Sequence, residues 1–143
     1  MKEMNIAAAV FIFSNLLVTP CFADFSSTVK YTVPDELYSV LENDGFNDTE
    51  LDEISVENGS LVVMFDSEKL NIPRAYKTIA SICDYTKENP SEWDGREFTT
   101  IEVMPFLQSV RLIFDGGIKS CLKIPFNAKK ETIASFTEIK RSY

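Results

Sequence analysis

With 143 residues, 45% of them hydrophobic, the chain has room for one ordinary domain with a real core, but hardly for two. Its 22 acidic against 14 basic residues leave a net charge of −8, which argues against binding nucleic acid by neutralising phosphates. There is no histidine, which excludes the usual serine triad, a histidine base and histidine metal ligands.

Residues 1–23 read as a leader. Met1-Lys2-Glu3-Met4-Asn5 is a short polar start, 6–18 is almost continuously apolar, and Cys21 and Ala23 supply small residues at −3 and −1 of a cut after Ala23. The apolar run holds Ser14 and Asn15 and falls short of the roughly 20 residues that a membrane span needs. Cleavage is therefore preferred to retention as an anchor. Val18-Thr19-Pro20-Cys21 approximates a bacterial lipidation signal, but Pro20 lacks the N–H and the free φ that an extended substrate needs in a peptidase cleft. A lipid-anchored envelope component is the weaker alternative. The expected product is a single domain over 24–143, secreted or periplasmic, without stable membrane insertion.

Only Cys83 and Cys121 remain after such a cut. In an oxidising compartment an even pair predicts a disulfide. Two cysteines without histidine make a poor zinc site, and their separation is no Cys-x-x-Cys.

The polar stretch 24–32 is an extended lead-in. Pro34-Asp35-Glu36 then opens a short helix with an apolar stripe of Leu37, Val40 and Leu41, and Gly45 offers a left-handed stop. Asn58-Gly59 between two β-rich runs predicts a two-residue hairpin in which Val56 faces Leu61 and Ile54 faces Val63. Asn71-Ile72-Pro73 begins the main helix, which Asn89-Pro90 stops. Ala75, Ile79, Ile82, Cys83 and Thr86 recur on its core face.

Residues 98–104 alternate as a strand that Pro105 interrupts, and 107–114 makes another. Asp115-Gly116-Gly117 is then expected to turn the chain into a partner strand, 118–124, that carries Cys121 to the helix side. In 129–143, Ile133, Phe136 and Ile139 sit three apart, which suits a short helix better than a strand. The expected fold class is α+β, with an antiparallel sheet of about five strands and one main helix packed on one face. Its element order is α-β-β-α-β-β-β plus the C-terminal helix.

Catalytic motifs are missing. The five glycines form neither a Walker loop nor a dinucleotide fingerprint. Ser27-Thr28-Val29-Lys30 and Ser120-Cys121-Leu122-Lys123 match Ser-x-x-Lys, which needs a helix to bring serine and lysine together. The second match, expected on a strand, fails on that ground, because residues three apart on a strand point to opposite faces. An EF-hand with Gly45 at loop position 6 would place Val40 and Leu51 where carboxylates are required.

The acids Asp44, Asp48, Glu50 and Asp52 make a candidate binding segment for a cationic partner or an irregular calcium site, although a solvated acidic loop accounts for them as well. Toward the other end, Lys119, Lys123, Lys129, Lys130, Lys140 and Arg141 face only Glu131 and Glu138. Trp93, the single tryptophan, is either an exposed interface anchor or a cover folded over the core edge.

Together these features predict an exported non-enzymatic protein that binds another macromolecule, of an inhibitor, immunity or envelope-accessory kind. The expected partner is a protein, with no cofactor, no metal site and no nucleic acid. The alternative is a small glycan hydrolase that uses two carboxylates.

Overall fold

The computed structural model describes residues 28–44 and 51–143. The expected leader with Cys21, Ser27 of the first Ser-x-x-Lys match, the expected stop at Gly45, and Asp48 and Glu50 lie outside the described residues.

Strand β1 (Lys30–Thr32) leads into helix α1 (Asp35–Asn43), whose N-cap is Pro34 and whose first turn carries Asp35 and Glu36. Strands β2 (Leu51–Glu57) and β3 (Ser60–Phe65) form the expected hairpin. Val56 is opposite Leu61 and Ile54 opposite Val63, and Asn58 and Gly59 take φ of 49° and 78°. Helix α2 (Ile72–Glu88) starts where Asn71 accepts the Arg74 N–H at 3.1 Å and ends before Pro90, which opens a 3-10 turn, Pro90–Trp93. Strands β4 (Thr100–Pro105) and β5 (Val110–Asp115) follow. Helices α3 (Gly117–Lys123) and α4 (Lys130–Ala134) and strand β6 (Thr137–Arg141) complete the chain.

All six strands join one sheet in which spatial order equals chain order. Neighbours run antiparallel except β3 and β4, which are parallel with Val63 beside Val103. A hairpin loop cannot connect parallel neighbours, and the crossover here is α2.

This corrects the expected architecture in four respects. Among the described residues the sheet has six strands rather than about five. One of its pairings is parallel. Among the described residues four helices accompany it, α3 being the one that the expected order lacked. And 118–124 is not the partner strand of β5: it is mostly α3, while β6 pairs with β5. Gly117, Ser120, Cys121 and Ile124 are the buried positions there, a helical i, i+3, i+4, i+7 set. The C-terminal stretch holds both a short helix, α4, and an edge strand.

A single apolar cluster fills the space between helices and sheet. Leu37 and Leu41 of α1, Cys121 of α3 and Ile133 of α4 enter it from the helical side. Ala75, Ile79, Ile82, Cys83 and Thr86 of α2 are fully buried, as their spacing predicts. Val56, Leu61, Val63, Ile101, Val103, Leu112 and Phe114 meet them from the strands. The Thr86 hydroxyl, which would otherwise be an unsatisfied buried donor, bonds to the Ile82 carbonyl at 2.7 Å. Cys83 and Cys121 stand at disulfide distance, S–S 2.07 Å and Cα–Cα 4.6 Å. Among the described residues, no helix is long and apolar enough to cross a membrane.

Candidate functional site on the open face of the sheet

Because side chains alternate along a strand, the residues between the core positions point to the opposite face. The register arranges them in rows: Lys30, Glu57, Ser60 and Thr100; then Ser55, Val62, Glu102 and Ile113; then Glu53, Met64 and Met104. The four helices of the described residues send their buried side chains into the core on the other side, so none of them covers this face. It contains a depression of about 580 Å³ lined by strand and turn residues. Its apolar floor is Met104, which is buried, with Val62 and Met64 half-buried.

Two polar networks border the floor. Thr100 Oγ1 donates to Ser60 Oγ at 2.9 Å, Ser60 Oγ donates to Glu102 Oε1 at 3.2 Å, and Arg111 lies 3.5 Å from Glu102 Oε2. On the other flank Lys30 pairs with Glu53 and, at 3.1 Å, with Glu57, which also accepts the Ser55 hydroxyl at 3.0 Å. The hydrogen bonds from Lys30 and Ser55 hold the Glu57 carboxyl below its ordinary range.

A two-carboxylate hydrolase needs one acid that keeps its proton near neutral pH. Glu57 is pushed the opposite way, and Glu57 and Glu102 are each engaged by a separate cation on strands that flank β3. Among the described residues, no cluster of three or more Cys, Asp or Glu is placed to hold a metal ion.

Of the candidate residues read from the sequence, Asp44, Asp52 and Trp93 lie among the described residues, each in a different setting. Asp44 caps the end of α1, where its carboxylate accepts the Ser81 hydroxyl and its carbonyl accepts Lys77 Nζ at 2.9 Å. Asp52 sits on β2 with its side chain exposed, next to a register shift in the β2–β3 pairing. Trp93 is 1% exposed, with Tyr85 and Phe98 edge-on at 6.3 Å and 4.8 Å, so it is a core residue and unavailable as a surface anchor.

The Ser120–Lys123 pair does lie on a helix, contrary to the strand expected for it. Even so, Ser120 is turned inward against Gly116 while Lys123 faces out. The sequence did not single out Ser60, Glu102 and Arg111 as part of a site, and offered Lys30 only in the first Ser-x-x-Lys match, although the hairpin register alone places Ser55, Glu57, Ser60 and Val62 opposite the apolar set. No protein family, no characterised protein and no solved structure matches this chain.

Proposed function

We propose that the chain is an exported, non-catalytic binding protein that works in a secreted or periplasmic setting and docks another protein on the open face of its sheet. The observation that carries this reading is the methionine-floored depression, which no helix of the described residues covers and which ion-paired side chains border. An apolar centre inside a polar rim is the anatomy of a protein interface. Methionine is unbranched and adapts to a partner's shape. The bordering groups are already hydrogen-bonded to one another, so little ordering remains to oppose association. Cys83 and Cys121 at disulfide distance accord with export to an oxidising compartment.

A photoreactive amino acid placed at Val62 or Met64, in protein expressed in its source organism, tests the proposal. It is expected to give one discrete cross-linked protein species, and the same probe at exposed Glu131 on α4 is expected to give none. Adding Glu102→Lys should suppress the product. Equal labelling from both faces, or no product from the open face, would remove the basis for the reading.

A further inference from the structure

The helical side carries a second surface of different chemistry. Residues 117–130 contain Lys119, Lys123, Lys129 and Lys130 and no acid, in a chain whose net charge is −8. The burial of Gly117, Ser120, Cys121 and Ile124 turns Lys119, Leu122 and Lys123 of α3 outward together, and Phe126 is exposed in the turn that follows the end of the helix. Leu122 is 56% exposed and Phe126 55%, among the more exposed large apolar side chains of the described residues, with Leu107 at 57%. Lys87 Nζ lies 4.5 Å from the centre of the Phe126 ring, but its side chain is only 9% exposed and its charge is offset by Asp84. Asp84, the nearby acid on α2, accepts the Asn127 N–H at 3.0 Å and lies 3.7 Å from Lys87. Among the described residues, no carboxylate pairs with Lys119, Lys123 or Lys129. Glu97 and Asp115 border the patch on its β5 side.

We infer that this ridge is a peripheral contact for an anionic lipid bilayer. Leu122 and Phe126 would enter the headgroup boundary while the lysines meet lipid phosphates. The charge complementarity is local and opposite in sign to the chain as a whole. Exposed Leu and Phe flanked by lysine are the composition of an interfacial anchor, which lies on a membrane without spanning it. An acidic protein partner would satisfy the lysines, but it would be expected to present a pocket for both apolar tips. A bilayer accepts them without one.

Sedimentation with vesicles decides the matter, using the chain as recovered from its native compartment so that every variant shares the same N-terminus. Vesicles containing about a third phosphatidylglycerol should bind the parent on the order of tenfold more tightly than pure phosphatidylcholine vesicles, and 0.5 M NaCl should abolish the difference. Lys119→Gln with Lys123→Gln, and separately Leu122→Ala with Phe126→Ala, should each weaken anionic-vesicle binding on the order of tenfold. All four positions are exposed, and far-UV circular dichroism confirms the fold of each variant. Val62→Asp on the opposite face should leave vesicle binding unchanged, which separates this inference from the proposed protein interface. Equal binding to both vesicle types, undiminished binding by the variants, or binding to polyglutamate but not to vesicles would overturn it.

Discussion

Cys83 and Cys121 face each other with Cα atoms 4.6 Å apart, one on the long helix α2 and the other on the short helix α3. Both are fully buried, so the pair ties α3 to the main helix from within the core. The two cysteines are 38 residues apart in sequence, and in the chain-entropy description closing such a loop contributes about 4 kcal/mol. Replacing both with alanine should therefore lower the unfolding free energy by about 2–4 kcal/mol, with a lower denaturant midpoint and a steeper slope as the freed denatured chain exposes more surface. An unchanged midpoint would mean that the pair carries no cross-link in the purified protein.

Gly117 is where the chain leaves β5 for α3 and passes close to the entry of β4. A Cβ there would meet the Phe98 carbonyl oxygen and come within 2.7 Å of the Thr99 carbonyl carbon, both rigid backbone, at a φ of +48°. Gly59 has a similar φ of +78°, but its nearest neighbour would be Thr99 Oγ1 at 3.8 Å, an ordinary contact. Gly59→Ala should then cost only left-handed strain, about 1–2 kcal/mol. Gly117→Ala adds overpacking to that strain and should cost about 2–4 kcal/mol. Equal thermal shifts for the two variants would show that α3 can move away from β4.

The same region shows what the sequence could not convey. Ile118-Lys119-Ser120-Cys121-Leu122-Lys123-Ile124 satisfies a two-residue alternation through 118, 120, 122 and 124, and a helical period through 117, 120, 121 and 124. Over so short a run the periods do not compete decisively. The tertiary fact that settles it is distant, since β6 occupies the edge of β5 that the expected strand would have taken. The parallel pairing of β3 with β4 is likewise non-local. By contrast, the 54–65 hairpin, the α2 stripe and the pairing of Cys83 with Cys121 were legible because a turn, a single face or a single available partner specified each. The open-face site was half-legible. Its β2 and β3 residues follow from the hairpin register, but Glu102 and Arg111 join them only once β4 is laid beside β3.

Trp93 tests the difference between core and surface. Its ring is fully enclosed, with the Tyr85 and Phe98 rings meeting it edge-on in the favourable T-shaped geometry. Trp93→Ala should cost about 3–5 kcal/mol and collapse the near-ultraviolet circular dichroism of the aromatic cluster. A variant that kept full stability but lost partner binding would reinstate Trp93 as an interface residue.

Lys30 and Glu57 make the open face sensitive to pH in a direction that can be derived. Glu57 has a folded-state pKa below its ordinary 4.5, chiefly because Lys30 and then Ser55 hydrogen-bond its ionised form. A lowered carboxylate pKa stabilises the folded chain above the unfolded value, and that contribution fades as pH falls through the folded value. The pair is partly exposed, so its worth is within about 1 kcal/mol and is reduced further by salt. Glu57→Gln should thus be less stable than the parent at pH 7, and the gap should close below pH 4.5 as the parent's carboxylate protonates. A gap that persisted unchanged at pH 3 would mean that Glu57 contributes by packing over the sheet and that its charge is immaterial.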